Sequence, residues 1–149
     1  MTDTEILELC AGNQDALRLI RGFWTFCEVW DDLVDQDKPV APGTVNSAFV
    51  WAMFTLQENP VYRAHPGLAM ALRVVISNWF AANRMEKSGD YDQTVVAYTL
   101  RCAPYDFFVA VVLAVAGPAA ADAAALRFRA APTPADSLPA YLNEHIKGV

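Results

Sequence analysis

The sequence predicts an all-α fold: a single-domain helical bundle of about five to six helices over residues 1–130, then a Pro-rich C-terminal arm over residues 131–149 with one short helix. Three observations carry this. Apolar residues recur at three- and four-residue steps through most of the chain, no segment alternates apolar and polar as a half-buried strand would, and Pro, Gly, Asn and Asp clusters fall at helix-length spacing. A chain of 149 residues that is 54% hydrophobic and 19% charged can bury one core without disulfides.

The elements follow in order. A short helix near residues 3–11 stops at Gly12, and Asn13 caps a long second helix to about residue 36, ended by "DKPVAPG". Thr44 or Asn46 starts a third helix through Leu56, and "ENPVYRAHP" reads as a connecting loop. Pro66 opens a fourth helix that stops near "SGD". Asp90 or Asp92 caps a fifth helix, which Pro104 should kink or break. Past Gly117 and Pro118 an Ala-rich sixth helix runs to "APTPADSLP", leaving a terminal helix near residues 139–146.

Charge and motif content exclude several functions. With a net charge of −6 and no Lys/Arg cluster, nucleic acid is not an expected partner. The acidic start "MTDTEILELC" does not resemble a secretory leader, and the apolar run from Phe107 is too short to span a bilayer, so a cytoplasmic protein without membrane contact is expected. Cys10, Cys27 and Cys102 lack metal or redox spacing and read as small core residues in a reducing compartment. His65 and His145 have no second ligand at zinc spacing, and no nucleophile-elbow or phosphate-loop sequence is present. Any chemistry would have to rest on carboxylates.

The candidate carboxylates lie on the second helix. At about 100° per residue, Glu28, Asp31, Asp32 and Asp35 share one side, while Phe23, Phe26, Trp30, Leu33 and Val34 take the other. Four like charges at helical spacing repel, and a hard divalent cation such as Mg²⁺ or Mn²⁺ would offset that repulsion. Asp is a poor interior helix former, which favours a site over a merely solvated face. Against a site, Asp35 and Asp37 stand near the helix C-terminus and belong equally to the helix stop, with Lys38 beside them.

On the fourth helix Leu68, Leu72, Val75, Trp79 and Ala82 form an apolar stripe that Glu86 continues, with Asn78 and Asn83 at its edges. Glu86 therefore points inward and needs a partner. Asn83 and Glu86 could complete a metal site begun by Asp31, Asp32 and Asp35, with Glu28 as ligand or catalytic base. Arg101, Tyr98, Tyr105 and Asp106 interrupt the apolar fifth helix; Arg101 either holds a phosphate or neutralises carboxylates, an internal ion pair being the commoner role. Arg21 carries the same ambiguity.

"DDLVD" from Asp31 to Asp35 resembles the D-D-x-x-D motif of class I isoprenoid synthases, all-helical Mg²⁺ enzymes acting on prenyl diphosphates. Asn78, Ala82 and Glu86 keep the spacing of that family's second motif, with Ala82 in place of its hydroxyl ligand. "VWDDLVDQDKPV" and "NPVYRAH" are similar to stretches of uncharacterised small helical proteins encoded by bacteriophages, which implies a host-cytoplasm or virion setting. The paired acids on two helices also resemble small all-α nucleotide pyrophosphatases, matched here by Glu28 with Asp31 or Asp32 and by Asn83 with Glu86.

Two functions are therefore expected. One is a divalent-metal carboxylate site handling a diphosphate or nucleotide, with Arg101 on the phosphate. The alternative is a non-enzymatic interaction or virion protein that self-associates or docks a protein partner, its acidic face only solvated. Trp24, Trp30, Trp51 and Trp79 supply the aromatic material for a docking patch.

Overall fold

Caps and prolines set the helix boundaries. The computed structural model describes residues 1–36, 38–130 and 137–146, all of them helix or short connection with no strand among the described residues. Asp37, the Pro-rich segment 131–136 and residues 147–149 lie outside the described residues.

Helix α1 (Asp3–Leu9) begins at a capping box in which the Glu5 backbone N–H donates to Thr2 Oγ1 and the Thr2 N–H donates to Glu5 Oε2 at 2.7 Å. Helix α2 (Gln14–Asp35) starts where Asn13 Oδ1 accepts from the Asp15 and Ala16 N–H groups, and ends at Gln36 in the left-handed region. Its buried Ala16, Leu19, Ile20, Phe23 and Cys27 make it the central helix.

The third helical segment corrects the expectation. It starts at Pro42, not Thr44 or Asn46, because proline needs no hydrogen-bond acceptor at the first position. Helix α3 (Pro42–Val50) then passes into a π-helical turn (Trp51–Thr55) and one last turn, α4 (Leu56–Glu58). The wider turn accompanies a close approach: Trp51 lies across Gly22 of α2, where any Cβ would fall inside the indole. The expected loop before residue 66 is also corrected, since Asn59 caps helix α5 (Pro60–Ala64). Asn59 Oδ1 accepts from the Val61 and Tyr62 N–H groups, and its Nδ2 donates to the Asp15 carbonyl at 2.9 Å, tying α5 to the start of α2.

Helix α6 (Gly67–Glu86) buries Leu68, Val75, Trp79, Ala82 and Glu86, the stripe expected from its periodicity. Asp90 caps α7 (Tyr91–Leu100), and the chain breaks at Arg101 and Cys102 so that Pro104 falls in the first turn of α8 (Ala103–Ala116). Helix α9 (Pro118–Arg129) follows at Gly117, and α10 (Leu138–His145), capped by Ser137, packs on α7. More helices form than the five to six expected, because α5 and the division at Arg101 add segments.

Phe23, Phe107, Leu19, Ile20, Val75, Val111 and Val112 are the large fully buried side chains, with Phe23 and Phe107 edge to face at 4.7 Å. Cys10 and Cys27 are buried and free; burial pushes the Cys10 thiol up to about 11. Leu33 departs from its expected apolar role and is exposed. By length and composition the stretch Tyr91–Ala116 is apolar enough to cross a membrane, but here it is broken at Arg101 and contributes Phe107, Val111 and Val112 to the core.

Candidate functional site

The last turns of α2 and α6 meet at the break between α7 and α8, and Arg101 stands where the three come together. Its Nε and Nη2 donate to the two Glu86 carboxylate oxygens, each at 2.6 Å, a bidentate fork. Its Nη1 donates to Asp31 Oδ1 at 2.8 Å, and Asp35 lies 3.7 Å from Nη2. The guanidinium carbon is 5.3 Å from the centre of the Trp79 ring, and Trp30 stacks near Trp79 at 5.2 Å. From α10, the Tyr141 hydroxyl donates to Glu86 Oε1.

These contacts account for the protonation tendencies. Burial alone would raise the Glu86 carboxyl, but the hydrogen bonds from Arg101 and Tyr141 and the nearby positive charge hold it below the ordinary range. Burial pushes Asp31 up; Arg101 only partly counters this, while Asp35, Glu86 and Asp32 add to it. Burial opposes the Arg101 charge, yet Glu86, Asp31 and Asp35 together raise its pKa. Tyr141 is raised by burial and by donating to Glu86.

Glu28 and Asp32, also expected at the site, have separate partners. Glu28 accepts from Trp24 Nε1 at 2.8 Å, and Asp32 lies 3.3 Å from Lys38 Nζ. Asn83 Oδ1 and Trp79 Nε1 are buried without a hydrogen-bond partner among the described residues. Arg21 pairs instead with Asp3 and the Met1 carbonyl, and Asp106 pairs with Arg129. Among the described residues no group of three or more His, Cys, Asp or Glu side chains is placed to hold a metal ion. A groove of about 780 Å³ runs past Glu28, Asp31, Asp32, Trp24 and Trp79, and a cavity of about 650 Å³ lies beside Glu86, Arg101, Tyr98, Tyr141 and His145.

Sequence reasoning brings Asp31, Asp35, Glu86 and Arg101 to one place and misses Tyr141, which lies 55 residues from Glu86. No local signal in the arm announces that contact.

A second feature lies on the α3–π–α4 segment. Phe49, Val50, Met53 and Phe54 are 64%, 55%, 65% and 61% exposed, four large apolar side chains side by side on one helical face. Residues 39–57 contain no Asp, Glu, Lys or Arg. The tryptophans are not the exposed aromatics: Trp79 is buried, and Trp24, Trp30 and Trp51 are half-buried against neighbouring rings. From Trp51 a chain of ring contacts runs through Phe26 and Trp30 to Phe80, itself half exposed on α6.

No protein-family model matches the chain, and neither a curated protein nor a solved structure matches it significantly.

Proposed function

We propose that this protein acts without catalysis, as a helical docking module whose working surface is the uncharged outer face of the α3–π–α4 segment. One observation carries the reading: Phe49, Val50, Met53 and Phe54 are exposed together on a helix with no charged residue between positions 39 and 57. Contiguous apolar surface of this kind is costly in water and marks interaction sites, and depletion of charge is the compositional mark of an interface core. On this reading the acidic face of α2 is an internal lock. Arg101 supplies the positive charge that offsets repulsion among Asp31, Asp35 and Glu86.

The test is the double substitution Phe49→Glu with Met53→Glu. At a concentration low enough to keep the chain monomeric, a docking face outside the fold predicts an unchanged helical spectrum, a stability within about 0.5 kcal/mol of wild type, and loss of binding to a hydrophobic dye. Unfolding, or undiminished dye binding, would overturn it.

A second reading keeps the carboxylates as a divalent-metal site for a diphosphate or nucleotide. It is favoured by Glu28 and Asp32, which make no bond to Arg101 and line the same groove as Asp31. Calorimetric titration of Mg²⁺ into the protein with inorganic pyrophosphate tests it. Saturable heat that disappears in Asp31→Asn with Asp32→Asn would support it, and no heat would exclude it.

A further inference from the structure

We infer that the occupant of this apolar face is a second copy of the same chain, which makes the protein a two-fold homodimer; the inference rests on the docking reading above. Three observations select this partner over others.

The first is area. Phe49, Val50, Met53 and Phe54 are each more than half exposed, and together they present roughly 400 Å² of apolar surface, taking about 200 Å² for a whole aromatic side chain. A standard protein interface buries about 800 Å² per partner, of which about 60% is apolar. The patch therefore supplies most of the apolar area that one side of such a dimer contributes.

The second is charge. Each copy carries a net charge of −6, so two copies repel through most approaches. A two-fold interface sets the same surface against itself, and any charge near the axis meets its own like. Residues 39–57 avoid that penalty, because they hold no charge. A foreign partner chosen by charge complementarity would need anchoring charges there. An anionic lipid surface would need Lys or Arg flanking the apolar side chains.

The third is form. Phe49 with Met53, and Val50 with Phe54, are two i,i+4 pairs that make adjacent ridges on one helix face. Ridges of this kind pack into the grooves of an identical helix crossing it. The π-helical turn at Trp51–Thr55 lies within the ridges, with Trp51 turned inward over Gly22 beneath them.

The experiment is sedimentation equilibrium of the full chain from about 1 to about 300 μM, the range of weak to moderate dimers, on wild type and on Phe49→Glu with Met53→Glu. Wild type should approach twice the 16.4 kDa chain mass, and the variant should remain a folded monomer with at least a tenfold weaker association. A dimer that persists in the folded variant overturns the assignment of this face. A wild type that stays monomeric throughout overturns the second-copy inference. If that monomer still binds dye through Phe49 and Met53, the docking reading survives without it. Flotation of that monomer with phosphatidylcholine and phosphatidylserine vesicles would assign the face to lipid instead and likewise overturn the dimer.

Discussion

Arg101 and Glu86 face each other through a two-pronged pair of 2.6 Å hydrogen bonds, joining the end of α7 to the end of α6, and both side chains are largely shielded from water. A buried pair of this kind contributes little over an apolar filling, but losing one partner strands a charge. Arg101→Met should therefore destabilise the protein by about 3 kcal/mol, leaving Glu86 and Asp31 without their counter-ion. Urea unfolding measures it, and a loss below about 0.5 kcal/mol would show that the pair is incidental.

The same cluster fixes an acid dependence. Glu86 has a folded pKa below its ordinary 4.5, so its stabilisation is fully present above pH 4.5 and is lost as pH falls through the lower folded value. Asp31 has the opposite sign: its folded value is raised above 3.8, so its ionisation costs stability as pH rises through that raised value. Glu86→Gln should thus lower stability at neutral pH and flatten the fall in acid, whereas Asp31→Asn should leave neutral stability unchanged or slightly higher. Urea midpoints across the acid range distinguish the two, and similar behaviour of both variants would contradict the assignment.

Gly22 is required by the Trp51 indole lying across it. Gly22→Ala gains about 1 kcal/mol of helix propensity but must displace that ring, at about 1–3 kcal/mol for overpacking. The net expectation is lower stability with a changed tryptophan near-ultraviolet spectrum. A variant more stable than wild type with an unaltered spectrum would contradict the close contact.

Asn59 uses its side chain in both directions, capping α5 and donating to the Asp15 carbonyl. Asn59→Ala should cost about 2 kcal/mol, more than an ordinary cap, because the part-buried Asp15 carbonyl also loses this donor. Asn59→Asp retains the acceptor and should recover only the cap. Thermal melts of the two variants separate these contributions.

These residues also show where local pattern sufficed. The start of α2 is legible because Asn13 is followed by an uninterrupted apolar period, and the inward direction of Glu86 is legible from the stripe of α6. Helix α5 is not, because Asn59–Pro60 is both a loop signal and an N-cap followed by a first-turn proline. The π-helical turn depends on Trp51 meeting Gly22 on another helix, which no local pattern records. Within the acidic run, spacing groups Asp31 with Asp35, but the cation between them and Glu86 is Arg101, 70 residues from Asp31. The exposed apolar face on α3 is hidden from the sequence for a related reason: the tryptophans read as interface material, while packing turns them inward and leaves Phe49, Met53 and Phe54 outside.

Arg101 supplies the positive charge set between Asp31, Asp35 and Glu86, which makes it their proposed counter-ion. Thermal melts of wild type and of Asp31→Asn with Asp32→Asn, each with and without millimolar MgCl₂ or MnCl₂, test it most directly. With Arg101 as the counter-ion, neither salt should shift wild type beyond the shift given by an equal ionic strength of NaCl. A rise of several degrees in wild type that vanishes in the double variant would contradict it.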